Sequence, residues 1–288
     1  MKKKFNEAYY AEALEKIKGQ IKLTLRNDFV AHYVFFRAPE ALKGLICSVM
    51  GLSPSEVKSV RVMNPINYGE YLDKLIILDI KVDLNDSEYI DIELQVYTDK
   101  QWVKRSLLYL CRTYNEGIGR SEDYKKLRAT TIITITDRDL GLEAEKHNEF
   151  LAEYIFKNVK TNEKYSDLLR IKILYLNNLK FAKQEDFSSG LVFWAKMFIA
   201  NNWEEIVKVS KEGEGFMEAA KELYNANTIS EERTIMEAHG RYISMRDGMK
   251  EYYEDLLDED KRKLEEKDRL IEEKDRLIEE LRKQIQKQ

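Results

Sequence analysis

The chain is poor in the residues that staple or metallate small proteins. It has two cysteines, Cys47 and Cys111, in 288 residues, and both sit in apolar surroundings. They read as reduced core residues, which argues against a disulfide framework and favours a cytoplasmic setting. Three histidines, His32, His147 and His239, are scattered without ligand spacing, so zinc is not expected. No apolar run reaches the ~18 residues of a membrane span. The start MKKKFNEAYY is basic but lacks an apolar core segment, so no signal peptide is expected. Basic charge is not in excess either: the net charge is -4, which excludes a protein that coats nucleic acid through bulk charge. What is abundant is apolar and charged together, 43% and 35%, enough for one large domain with an appendage.

The stretch Asp73–Gln95, DKLIILDIKVDLNDSEYIDIELQ, organises the rest. Two apolar runs, Leu75–Val82 and Tyr89–Tyr97, flank the polar segment Asp83–Glu88 and predict a β-hairpin with a loop of about four to six residues. Side chains alternate along each strand. Ile76, Leu78, Ile80 and Val82 share one face, and Asp79 points the other way with Leu75, Ile77 and Lys81. In the second run Ile90, Ile92, Leu94 and Val96 share a face, with Asp91, Glu93 and Gln95 on the other. A carboxylate in an apolar strand, beside a strand offering Glu-x-Gln, suits a hard divalent cation. The bland alternative pairs Asp79 with Lys81 or Lys74. Asp73 and Asp91 read as surface charges.

The N-terminal 26 residues have helical spacing at Leu14, Ile17, Ile21 and Leu25. Two further helices are expected. Asp28 caps the first, with Phe29, Tyr33 and Phe36 on one side. Pro39 opens the second, which buries Leu42, Leu45, Ile46 and Val49 and stops at Gly51. After the hairpin, residues 99–119 predict a helix with two stripes: Val103, Leu107, Leu110, Tyr114, and Trp102, Arg105, Tyr109, Arg112. From Lys100 to Arg128, eight basic residues face three acidic ones, the best local candidate for phosphate contact. ATTIITIT (129–136) is a buried strand. A helix is expected at about 143–158, then a strand at Leu168–Leu176. This order is α/β with a mixed sheet. Residues 186–225 are helical, with Trp194 and Trp203 as packing aromatics, and 229–249 form a more polar helix.

The tail repeats EEKDRLI at 265–271 and 272–278. Leu257, Leu264, Ile271, Ile278 and Ile285 recur every seven residues, but Lys267 and Lys274 occupy the second seam position. A long solvated helix and a weak coiled coil both fit.

Several segments in order carry a resemblance: Asn64-Pro-Ile-Asn-Tyr-Gly-Glu-Tyr-Leu-Asp-Lys74, Asp79, Ile92-Glu-Leu-Gln95, Arg105-Ser-Leu-Leu-Tyr109, and Gly119 to Tyr124-Lys-Lys-Leu. The series resembles the Rpn family of recombination-promoting nucleases, transposase-like members of the PD-(D/E)XK superfamily, over residues 20–250. The resemblance implies a restriction-endonuclease-like mixed β-sheet core flanked by helices. The chain then divides into a nuclease-like domain at 1–185, a helical extension at 186–250 and, beyond the matched region, a heptad-repeat helix at 251–288. It implies cleavage of double-stranded DNA with a divalent metal, Mg2+ or else Mn2+ or Ca2+, in recombination or mobile-element processes. By position, Asp79 and Glu93 match the metal ligands, and Gln95 stands where the wider superfamily has Lys, as is common in this family. His32 and Ala31 depart from the family's Lys and aromatic positions. Lys74, Arg105, Tyr109 and Arg112 are candidates for DNA phosphate contact. A homodimer or higher oligomer through the C-terminal helix is expected, with no membrane attachment. The alternative function is a relative with weak or no catalysis, serving as a DNA- or protein-binding assembly module, including in phage defence.

Overall fold

The structure is a computed structural model that describes residues 7–63, 80–95, 101–116, 118, 123–142, 148–229, 233–234, 237, 261–274 and 276. The chain divides into two units, 1–236 and 237–288. The expectations for Lys74, Asp79 and most of 229–249 lie outside the described residues.

Period-two alternation builds a six-stranded mixed sheet in the order β1-β2-β3-β4-β6-β5. The strands are β1 (Val60–Val62), β2 (Ile80–Leu84), β3 (Glu88–Gln95), β4 (Ala129–Thr136), β5 (Leu151–Lys157) and β6 (Lys164–Tyr175). β1, β2 and β3 are antiparallel neighbours. β3, β4 and β6 run parallel, and β5 returns antiparallel on β6. Over the described residues the hairpin is as expected, but its turn is tighter: only residues 85–87 lie outside the strands, and the expected stretches 75–79 and 96–97 lie outside the described residues. Asn85 and Asp86 take positive φ, which Asn and Asp tolerate best among residues with a side chain. Asn85 also accepts hydrogen bonds from the Lys58 and Ser59 amides, tying the turn to the approach to β1.

One sheet face is apolar. Ile80, Val82, Leu84, Ile90, Ile92, Ile133, Ile135 and Leu174 join a large core. Helices α2 (Asp28–Arg37) and α3 (Pro39–Met50) supply its other wall, with α6 (Leu191–Ile199), α7 (Trp203–Ser210) and α8 (Glu214–Thr228), which follow the short α5 (Gln184–Ser188). Trp194 and Trp203 are buried there as expected. Asn27, not Asp28, caps α2: its side chain accepts from the Val30 amide at 3.0 Å, whereas Asp28 bonds the next amide, Phe29. Pro39 opens α3, and Gly51 closes it at φ 70°, a left-handed turn that glycine enters without penalty.

Three other expectations are corrected. The N-terminal helix, α1, spans Glu7–Lys16, and the chain beyond it is irregular, although Ile21 and Leu25 are still buried. The helix expected at about 143–158 is a strand over 151–157. LAEYIFK has no helical stripe to bury, and its backbone pairs with β6 instead. Cys111 is exposed, unlike Cys47.

The opposite sheet face carries α4 (Trp102–Glu116), beside a small cluster of Trp102, Leu140, Ala152, Ile173 and Tyr175. The seam that α4 buries is Trp102, Ser106, Leu110 and Thr113, at helical spacing. Of the two expected stripes, only Trp102 and Leu110 lie in it. Val103, Leu107 and Leu108 are exposed. In the second unit, residues 261–274 are helical and fully on the surface.

Candidate active site

The face of β3 under α4 is polar, where its other face is Ile90, Ile92 and Leu94. Asp91, Glu93 and Gln95 alternate along it, and all three are buried. Glu93 is 7% exposed and Gln95 6%. Burying a carboxylate this far is costly unless charge or hydrogen bonds compensate. The compensation comes from the neighbouring elements.

Arg105, one turn into α4, reaches down from above. Its Nη2 donates to Gln95 Oε1 at 2.6 Å and lies 3.8 Å from Glu93 Oε2. The guanidinium carbon sits 4.9 Å from the Trp102 ring centroid and 5.9 Å from that of Tyr109. Trp102 is itself buried, so one aromatic wall of this cation is fixed by the core. From the other side, β4 runs parallel in register: Glu93 faces Thr134, and Gln95 faces Thr136. The Thr136 hydroxyl donates to the Gln95 carbonyl at 2.9 Å. The Thr134 hydroxyl is buried and makes no hydrogen bond among the described residues.

Glu93 and Gln95 therefore sit near the carboxyl ends of parallel strands β3 and β4. In open α/β sheets this is the edge where ligands collect. The donors gathered there are hard oxygens: a carboxylate, an amide oxygen and a hydroxyl. They fit a hard divalent cation in chemistry. Among the described residues no group of three or more His, Cys, Asp or Glu is gathered as a metal cluster, and Asp79 lies outside those residues.

The remaining sequence candidates separate. Tyr109 flanks Arg105. Arg112 lies two turns further along α4 and donates to Glu116 Oε1 at 3.2 Å, while Lys81 of β2 also bonds Glu116. The Lys81 hydrogen bond, then the nearby charges, hold the Glu116 carboxyl below its usual range. Asp91, read from sequence as a surface charge, is buried opposite Lys81 in the ladder. At the far end of the hairpin another buried acid, Asp83, is held by Arg61 at 2.6 Å and Arg128 at 2.9 Å. Thr134 and Thr136 were not singled out from the sequence. The signal was available: Thr recurs at even positions in ATTIITIT, on the face that β3 shares with Glu93 and Gln95.

The fold agrees with a comparison against known families. The chain belongs to the PD-(D/E)XK nuclease family transposases, whose model matches residues 25–251. The mixed sheet flanked by helices is the restriction-endonuclease-like fold of that group, and a nuclease-like function acting on nucleic acids follows. No curated protein and no solved structure matches the chain. Among the described residues, no helix is long and apolar enough to cross a membrane.

Proposed function

We propose that the protein is a divalent-metal-dependent endonuclease that hydrolyses phosphodiester bonds of double-stranded DNA, in recombination or mobile-element processes. The observation that carries this reading is the buried Glu93–Gln95 pair under Arg105 at the carboxyl end of β3.

Asp79 completes the acidic set. It precedes Ile80, and Ile80 pairs with Ile92, the residue before Glu93. Asp79 and Glu93 would hold Mg2+, or Mn2+ or Ca2+, which when bound would supply polarisation of a phosphoryl oxygen and a lowered pKa for water. Gln95 carries no charge and orients the reacting water by hydrogen bonding.

Arg105 answers the absence of the superfamily's Lys at position 95. Its guanidinium lies within hydrogen-bond distance of Gln95, so a fixed positive charge still faces the reacting centre, delivered from α4 instead of β3. Such charge stabilises the extra negative charge of a phosphoryl transition state. Lys74, Tyr109 and Arg112 contact flanking phosphates. The heptad helix joins two copies of the chain. Removing residues 255–288 therefore halves the solution mass, and an unchanged mass removes that role.

Calorimetric titration with Mg2+ and Mn2+ tests the site. Wild type binds at millimolar concentration or tighter, and Glu93→Gln weakens binding at least tenfold. DNA binding without metal binding would instead favour a non-cutting assembly module.

A further inference from the structure

The geometry points to a second nucleic-acid-binding surface, remote from the Glu93 site, on the arm formed by β5 and β6 and the loop before β4. β6 is longer than its inner neighbour. Its pairing with β4 begins at Leu169, so Lys164–Leu168 extend beyond the sheet with only β5 beside them. The turn at 158–163 closes this arm. It is tightly organised: Asn158 accepts from the amides of Lys160 and Thr161, and its own amide donates to the Glu163 carbonyl at 2.8 Å. Asn162 takes positive φ. The tip is thus preorganised, and a partner need not order it.

What this tip displays is unusual for an arm in water. Lys157 and Lys164 are directly opposite each other across the strands, an arrangement that like charges disfavour. Lys160 adds a third positive charge at the turn. Beside the lysines stand exposed large side chains: Phe156, Val159 at 100% exposure and Tyr165 at 87%. Because β4 neighbours β6 in parallel, the loop entering β4 opens at the same end of the sheet. It presents Tyr124 at 82% exposure, with Lys125 and Lys126. Among the described residues of the arm and this loop, the acids are Asp123, Glu163 and Asp167. Asp123 lies 3.9 Å from Lys125 and Asp167 3.0 Å from Lys164, both as exposed pairs that water screens. Among the described residues, five lysines against three acids, in a chain of net charge -4, make this a local basic patch.

Lysines flanked by exposed aromatic rings match a duplex phosphate backbone, with the rings packing against the sugars. A duplex DNA is the partner this chemistry fits. The patch is not part of the candidate active site. Ile173 pairs with Thr134, which faces Glu93, and Lys164 lies nine residues earlier on β6. At ~3.3 Å per residue that is about 30 Å. The inference concerns binding and stands whether or not the Glu93 site cuts.

The test uses the full chain with EDTA, a labelled 25-base-pair duplex and fluorescence anisotropy over a salt series. The triple variant Lys157→Gln, Lys160→Gln, Lys164→Gln should bind at least tenfold more weakly, with a salt slope smaller by about 2–3. A charge-matched control, Lys183→Gln, Lys208→Gln, Lys211→Gln, should change affinity less than twofold. The pair Tyr124→Ala and Tyr165→Ala, which touches no core, should lose several-fold affinity at an unchanged salt slope. Wild-type affinity in the arm variants, or an equal loss in the control, overturns the surface. Glu93→Ala separates the two sites: it should abolish cleavage and leave binding within twofold.

Discussion

Replacing Arg105 by alanine tests how the buried acids are held, and its cost follows from the geometry. Three interactions vanish: the 2.6 Å hydrogen bond to Gln95, the 3.8 Å ion pair with Glu93 and the contacts with the rings of Trp102 and Tyr109. A hydrogen bond from a charged donor is worth about 1.5–3 kcal/mol. The cation–π contacts add about 0.5–1 kcal/mol. The ion pair is long, and the Arg105 side chain is 37% exposed, so solvent screening reduces it to a few tenths, roughly. Against this, Arg105 regains some side-chain freedom, so the net expectation is about 2–4 kcal/mol. Urea unfolding without metal measures it directly. Arg105→Lys keeps the charge but not the planar fork, and should lose about half as much. Millimolar Mg2+ should recover part of the loss in Arg105→Ala, because another cation then faces Glu93. A stability change below about 0.5 kcal/mol, with no response to Mg2+, would refute the anchoring role.

Two other predictions follow from the structure. Burial pushes the His32 imidazole down to about 4, so the folded state binds its proton less readily than the unfolded chain does near 6.5. Stability is intact above pH 6.5 and falls as pH drops toward 4, by about 3 kcal/mol at most. His32→Phe should flatten that slope in urea melts at pH 4.5 and 7, and an unchanged slope would assign it to other groups. Gln95→Lys, which restores the superfamily's residue, should lower the melting temperature and give no gain in cleavage, because its ammonium would meet Arg105 in a buried site. Faster cleavage at unchanged stability would show that Arg105 does not supply the charge.

The hairpin strands were legible because alternation of apolar and polar residues is a local property of the chain, as is the continuous β-branched run of β4. It placed Glu93 and Gln95 on one face, and the ladder agrees. LAEYIFK misled because its apolar residues fit no single period, and pairing with β6 decided its conformation. α4 misled differently: its buried seam uses Ser106 and Thr113, whereas Val103 and Leu107 face outward. Small polar residues in a seam carry no hydropathy signal. The Gln95–Arg105 contact joins two elements, and only their packing brings the charge to the acid. Asp91 illustrates the same limit. A lone acid in a strand looks like a surface charge until α4 covers it.

Conversion of supercoiled plasmid by purified protein tests the central claim most directly. With Mg2+ or Mn2+, wild type should produce nicked or linear DNA, EDTA should stop it, and folded Asp79→Ala and Glu93→Ala should each lose it. Cleavage that persists in both variants would contradict the assigned site.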